Sequence, residues 1–552
     1  MSEIILEGIP ASPGITAGPA YIWHEEELEI PIANNRNPSE EYQKLVSAIT
    51  DTKAELEEIR SSLEAEGLKM EAKVFTAHAM MLEDPTLHKL VKQKLQKKIN
   101  IESAWMEAIN TMADKLSSIP DPTLSAREAD LRDAGKRVVY QLLGIESQWK
   151  MEIEKPSIVV ARDLSPSETA TMDRDKVIAF CTVEGGSTSH TAILAKSLGI
   201  PAVVGISGGL MGIPFESKLI VDGNAGKVII NPNEETCVTY DHKHSKQKQI
   251  ADKERQFAQD LALTLDGHQV EVVANVGNID DANKAIELGA EGIGLLRTEF
   301  LYLERNTAPS EEEQYQVYAE ILDEMENRPV VIRTIDVGGD KQIPYLELGE
   351  EANPFLGYRA IRMCLDNQEF FKVQLRALLR AGIGHDLRIM FPMIATVEEV
   401  LQTKALIQEA QEELLAAEKE FKRKPQIGIM VEIPSVAIMV EQFVGLVDFF
   451  SIGSNDLTQY TLAVDRVNPN VAQLNDPCHP AVLWQIKRVI EVAHQNNRWV
   501  GVCGEMAGDE TAIPILLGMG LDEFSMSANL IPHAKSILRK MSLVEAKKQS
   551  NA

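Results

Sequence analysis

Cysteine is scarce in this chain, with five residues in 552 (Cys181, Cys237, Cys364, Cys478 and Cys503) and no paired spacing among them. That scatter excludes a disulfide framework and a thiolate zinc site, and leaves reduced thiols. Aromatic residues make up only 5% of the sequence, and 55 Lys and Arg face 83 Asp and Glu, for a formal net charge of −28. An anionic surface of this kind repels phosphate backbones and anionic lipid, which disfavours nucleic acid and anionic membrane as partners; the excess either attracts a basic protein surface or serves solubility alone. Long apolar runs are missing too: nothing approaches the ~18 uncharged residues that span a bilayer. The opening MSEIILEGIPASPG has no basic flank before an apolar core, and a cytoplasmic location is expected. No GxxxxGK[ST] nucleotide loop occurs.

What is present is an ordinary globular composition, 44% apolar, in a chain long enough for several domains. Short extended pieces around SPGITAGPAYIW return after Lys155 as PSIVVARDLSP, KVIAFCT and KLIVDGNAGKVIINP. Between them the sequence is almost free of glycine and helix-periodic, in four segments that begin EYQKLVSAI, MEAKVFTAH, SAWMEAINT and AREADLRDA. The pattern predicts a four-helix module at 34–143 inserted into an α/β domain made of 1–33 and 144–232. Such an insert is either a packed bundle or a docking platform. Residues 233–266 read as a solvated linker helix, in which His242 and His244 sit in a charged context unlike a metal site.

From Gly267 the rhythm changes to short apolar runs alternating with longer helical patterns. The runs are VEVVANVG, AEGIGLLRTE, PVVIRTID, DLRIMFPMI, QIGIMVEI, FFSIGSND, WVGVCGEM and LDEFSMS. Continuous apolar runs suit strands buried on both faces, and eight of them alternating with helices predict a (β/α)₈ TIM barrel over 267–552. The fold class is therefore multidomain α/β.

In such barrels chemistry gathers at the carboxyl ends of the strands. The residues there are Asn275, Arg297 and Glu299, Arg333 and Asp336, Glu432, Asn455 and Asp456, and Cys503 and Glu505. Arg297 and Arg333 can each fork onto phosphate oxygens, and Lys341, Arg359 and Arg466 in the following loops add charge. Glu432 and Asp456 form a hard oxygen pair suited to Mg²⁺. This set describes a site for a small phosphorylated anion with a divalent metal.

A separate signal lies in GGSTSHTAILAKSLGIPAVVG, where His190 falls at a helix start behind the candidate caps Ser187, Thr188 and Ser189. A helix start offers unpaired N–H groups and positive dipole, which favour a neutral, nucleophilic imidazole and would receive a phosphoryl group placed on it. The economical link between the two signals is phosphoryl transfer from a small phosphate ester to His190.

The segments GGSTSHTAILAKSLGIPAVVG, LLRTEFLYLERNTAPSEEEQ, RTIDVGGDK, NPFLGYRAIR, MFPMI, GIMVEIPSVA, SIGSNDLTQYTLAVDR and CGEMAGD closely resemble enzyme I of the bacterial phosphoenolpyruvate:sugar phosphotransferase system. The resemblance covers essentially the whole chain. It implies that the residue matching His190 takes the phosphoryl group of phosphoenolpyruvate on Nε2 and passes it to the phosphocarrier protein HPr. It also implies that Arg297, Arg333, Arg466, Asn455 and Asp456 bind substrate, that Glu432 and Asp456 hold Mg²⁺, and that Cys503 donates a proton. Thr169, in LSPSETA, matches a threonine that orients the histidine. The resemblance further implies a swivelling phosphohistidine domain, HPr docking on the helical insert with His78 nearby, and a homodimer formed through the barrel. Val467 departs from the glycine expected after Asp465 and Arg466, and its loop reads as differently shaped. Phosphoenolpyruvate synthase and pyruvate phosphate dikinase share these parts but need a nucleotide-binding domain for which the chain has no room. A nitrogen-regulatory relative would need an extra sensory domain, and a catalytically dead sensor would need neither His190 nor Cys503.

Overall fold

A computed structural model describes every residue except 1–2, 25–29, 31–36, 66–68, 98, 118–121, 146–150, 152, 187–188, 304, 339–342, 344, 347–348, 350, 352, 467, 469–470 and 551–552. The chain divides into two compact units, Met1–Lys248 and Gln249–Ala552.

The first unit holds one eight-stranded sheet. Its strands are β1 (Ile4–Glu7), β2 (Ile9–Ser12), β3 (Ile15–Ile22), β4 (Ser157–Ala161), β5 (Val177–Thr182), β6 (Ala202–Val204), β7 (Lys218–Asp222) and β8 (Lys227–Ile230). Their order is β1-β8-β7-β3-β4-β5-β6-β2, parallel from β3 through β6 and antiparallel elsewhere. The extended pieces at the start of the chain thus complete a sheet whose other strands lie beyond residue 150.

Between β3 and β4 stand α1 (Pro38–Ala65), α2 (Lys69–Met81), α3 (Pro85–Leu95), α4 (Ile101–Ser117) and α5 (Pro122–Leu143). The expected four-helix module has five helices among the described residues, because the second segment breaks at LEDP. Pro85 cannot continue a helix but suits the first turn of a new one, and the Asp84 side chain caps it by accepting the Thr86 N–H at 2.6 Å. The module has its own core, in which Trp105 is fully buried and donates Nε1–H to Gly135 O at 2.8 Å. His78 is also buried there, with Asp130 Oδ1 at 3.5 Å and Asp133 Oδ2 at 3.7 Å, so it faces the module's interior.

After β4 come α6 (Pro166–Thr171), α7 (His190–Leu198) and α8 (Glu234–Gln256). Helix α8 spans the predicted linker only to Gln256. Beyond it Ala258 is buried, Ala262 joins the core of the second unit, and buried Lys535 donates to Ala258 O at 2.9 Å.

In the second unit all eight predicted runs form strands: β9 (Glu271–Val276), β10 (Ile293–Leu296), β11 (Val330–Arg333), β12 (Leu387–Phe391), β13 (Gln426–Val431), β14 (Phe449–Ile452), β15 (Trp499–Val502) and β16 (Glu523–Ser527). They close into a parallel barrel, β16 pairing with β9. Strand alternation sends Phe450 outward into the core beneath the helices and Phe449 inward, where it joins Leu295, Val331, Met390, Met430 and Cys503. Both faces of each strand are therefore covered, which is why the runs read as continuous rather than alternating.

Candidate active site

Arg333, the last residue of β11, is 7% exposed. Its Nη2 donates to Glu299 Oε1 at 3.0 Å and its Nη1 lies 3.0 Å from Asp336 Oδ2. Burial works against the guanidinium charge, but Glu299, Asp336 and Glu432 outweigh it and hold the group above its ordinary range. Arg359 grips the same carboxylate from another side, with Nε 2.9 Å from Asp336 Oδ1 and Nη2 3.0 Å from Oδ2. That Nη2 also donates to Asp456 Oδ2 at 3.0 Å, and Nη1 to the Tyr460 hydroxyl at 3.2 Å. Asp336 is thus the hub of two buried guanidiniums.

Glu432 follows β13 and is 1% exposed. Its Oε1 accepts the N–H of Met393, whose φ of +58° lies in the left-handed region that a non-glycine residue seldom occupies. Burial, then the charges of Asp456 and Asp336, push the Glu432 carboxyl up against the pull of Arg359 and Arg333. Asp456 stands in the first turn of the helix Ser454–Leu462 that follows β14. Its buried Oδ1 takes no hydrogen bond among the described residues, with Arg466 Nη2 3.7 Å away.

Two carboxylates leaving adjacent strands, one with an open oxygen, fit a hard divalent cation, whose binding would displace the proton that burial favours on Glu432. Among the described residues no three His, Cys, Asp or Glu side chains form a metal cluster. A cation here would complete its shell with substrate oxygens and water, as Mg²⁺ commonly does.

Cys503 follows β15 at the floor of the same cavity, 5% exposed. Burial pushes its thiol up to about 11. Asn275 Nδ2 donates to its carbonyl at 3.0 Å, and Asn275 Oδ1 in turn accepts Ser525 Oγ–H at 2.6 Å. At the next residue glycine is required by space alone, since a Cβ on Gly504 would lie 2.0 Å from Ser454 Oγ and 2.9 Å from Ser454 N. The exits of β14 and β15 can therefore touch, and Asn455 accepts the Glu505 N–H at 3.0 Å across them. The cavity at this mouth is about 170 Å³ and is lined by Arg297, Arg333, Arg359, Glu432, Asn455, Asp456, Arg466 and Cys503. Arg297 is exposed, and its side chain makes no hydrogen bond or ion pair among the described residues. A small polyanion meets free charge at the rim, a locked arginine–carboxylate lattice within and a protonated thiol beneath.

The phosphoenolpyruvate-utilising family models match this chain as a PEP-binding domain over residues 251–543, a mobile domain over 153–226 and an N-terminal domain over 7–127. The phosphoenolpyruvate-protein phosphotransferase of Bacillus subtilis (strain 168) is 46% identical over 542 residues, 98% of this chain and 95% of that protein. The chain belongs to the phosphoenolpyruvate-protein phosphotransferase family. The enzyme of that name from Staphylococcus carnosus (strain TM300) is 43% identical over 99% of this chain and 95% of its own length. An NMR structure of Enzyme I (nEIt) is 37% identical, covers 44% of this chain and 99% of its own, and aligns with a TM-score of 0.38.

The other residues expected in a phosphotransferase site are not among those described as lining this cavity. His190 belongs to the first unit, where it is the first residue of α7, and its side chain falls outside what the structure describes. Ser189 caps that helix, its Oγ accepting the Ala192 N–H at 3.4 Å, while Ser187 and Thr188 lie outside the described residues. Thr169 is buried in α6 with Oγ1 donating to Ser165 O at 3.2 Å. Lys341 and Val467 also lie outside the described residues. His242 and His244 are exposed on α8.

Sequence reasoning did not single out Ser451, Ser525, Glu523 or Tyr460. The inward positions of β16 carried the available signal: EFSMS alternates polar Glu523, Ser525 and Ser527 with apolar Phe524 and Met526, the spacing of one strand face.

Proposed function

We propose that the chain transfers the phosphoryl group of phosphoenolpyruvate to His190 Nε2 and from there to a histidine of HPr, the first general step of sugar uptake by the phosphotransferase system. The observation that carries this reading is the barrel-mouth cavity in which two buried guanidiniums, two carboxylates and a protonated thiol converge. Arg333 is positioned by Glu299 and Asp336 to take a phosphoryl oxygen without reorganising, and Arg297 and Arg466 close on the anion from the rim. Mg²⁺ held by Glu432 and Asp456 would neutralise charge on the phosphate and enolate oxygens.

His190 attacks phosphorus in line, the bridging P–O bond breaks, and its electron pair passes to the enolate. Cys503 Sγ–H then protonates the enolate carbon to give pyruvate, because a thiol raised to about 11 is still protonated at neutral pH and lines the same cavity as the substrate-binding arginines. For the same histidine to meet both the barrel and HPr, its domain must swivel. Docking of HPr on the helical insert, a homodimer through the barrel and a cytoplasmic location complete the proposal. No helix among the described residues is long and apolar enough to cross a membrane.

The deciding experiment is intact mass after brief exposure to phosphoenolpyruvate and Mg²⁺, for the parent and His190→Ala, followed by HPr. One acid-labile phosphoryl increment that requires His190 and moves to HPr supports the proposal. Binding with no increment in the parent refutes it and leaves a phosphoenolpyruvate sensor.

A further inference from the structure

A proton-donating thiol that is only 5% exposed must be reloaded after each turnover, and the barrel interior beneath Cys503 is polar. Ser451 pairs with Gly501 in the register of β14 and β15, and Gly501 pairs with Glu523 in that of β15 and β16. The three therefore lie side by side, two residues below Cys503 on the same inward face. Gly501 leaves the room that the Glu523 carboxylate fills, since a Cβ there would come within 2.7 Å of Glu523 Oε1.

Both Glu523 oxygens and Ser451 Oγ are buried without a hydrogen-bond partner among the described residues. Ser451 also lies close enough to Cys503 for its hydroxyl to favour the thiolate. Buried polar atoms left open in this way are costly unless they serve a purpose or hold water. Below Glu523 a cavity of about 350 Å³ opens at the amino-terminal mouth of the barrel, where Glu271 and Asp522 reach solvent. Arg388 faces Glu523 there from β12, its Nη1 3.9 Å away, and spreads over the Trp499 ring at 4.8 Å.

We propose that Glu523, acting through Ser451, returns a proton to Cys503 along the barrel interior, from solvent at the face opposite the substrate. This rests on Cys503 being the proton donor, as read above. The Sγ thiolate left by enolate protonation takes the Ser451 Oγ proton as Ser451 takes one from the Glu523 carboxyl through a bridging water, for which the open oxygens of both groups offer partners. The carboxylate regains its proton at the lower cavity, so no net proton is gained or lost by the chain. Burial and the charges of Glu271 and Asp522, opposed by Arg388, push the Glu523 carboxyl up to about 8, while burial places the thiol at about 11. A carboxyl still protonated near neutrality can thus load the thiolate, and the transfer runs downhill.

The test needs only the full chain, Mg²⁺, phosphoenolpyruvate and pyruvate. Exchange of carbon label between pyruvate and phosphoenolpyruvate moves a proton to and from Cys503 without solvent. Loss of deuterium from trideuterated pyruvate to water requires that proton to leave through the relay. Glu523→Gln and Ser451→Ala are expected to keep carbon exchange within about twofold and to lower deuterium loss per exchange event about tenfold or more, by the scale of general acid–base steps. Ser451→Thr, which keeps a hydroxyl, restores it. An unchanged ratio in both Glu523→Gln and Ser451→Ala overturns the relay, as does an equal fall in both rates, which is the signature of structural damage. Cys503→Ala tests the underlying reading separately: if it leaves both rates intact, Cys503 is not the donor and the relay falls with it.

Discussion

Replacing Asp336 with Asn should show how much of the site depends on one buried charge. Asp336 Oδ1 accepts from Arg359 Nε at 2.9 Å, and Oδ2 lies 3.0 Å from both Arg359 Nη2 and Arg333 Nη1. An amide keeps one acceptor and turns the other position into a donor facing a guanidinium, so one or two charge-assisted bonds are lost, at roughly 1.5–3 kcal/mol each. The loss of negative charge adds to this, because Asp336 is 2% exposed and its partners are 7% and 8% exposed. A total of about 3 kcal/mol is below the cost of removing a buried partner outright. For a unit spanning Gln249–Ala552 it corresponds to a fall of roughly 5 °C in the barrel transition. The two arginines would remain charged but no longer be aimed, so kcat should fall about tenfold or more while KM for phosphoenolpyruvate changes little. Scanning calorimetry and steady-state pyruvate release measure the two effects. A variant that melts within about 1 °C of the parent and turns over within a factor of two would refute the view that Asp336 holds the arginines in place.

Three other outcomes follow from named contacts. Cys503 should alkylate with iodoacetamide at pH 8 at about one-thousandth of its alkaline plateau, rising about tenfold per pH unit, because burial holds the thiol near 11; rapid alkylation at pH 7 contradicts this. Gly504→Ala should lower kcat/KM by about tenfold or more, because its Cβ would displace the Ser454 backbone that carries Asn455 and Asp456; activity within twofold means that the turn gives way freely. Glu311, held down to about 2 by Arg376, Lys419 and Arg380 against the effect of burial, stabilises the barrel above its unfolded pKa of about 4.3, and that contribution is lost as pH falls toward 2. Glu311→Gln should therefore lower the barrel's melting temperature at pH 7 and remove part of its fall between pH 5 and 2, as followed by circular dichroism.

What the linear sequence determined by itself is whatever depends on local pattern. Eight apolar runs announce eight strands because each is covered on both faces and needs no knowledge of its neighbours. Strand-end residues such as Arg333, Glu432 and Cys503 stand out because a polar residue closing an apolar run has few places to go but the barrel mouth. Ser189 was legible as one of three candidate caps, with Ser187 and Thr188, because capping is local.

Only the tertiary structure decided the rest. Asp336 looked like one ring residue among several, and its role as a hub depends on Arg359, which is 23 residues away in sequence. Asp84 and Pro85 split one periodic segment into two helices, a choice that the periodicity of the flanks concealed. The order of the first sheet, which sets β2 beside β6 and β1 beside β8, follows from long-range pairing that no window of sequence contains. The polar path from Glu523 past Ser451 to Cys503 appears only once three strands lie in register, because each of its residues comes from a different strand. Hydrophobic pattern records how much of a residue is covered, whereas only closure of the barrel records by what.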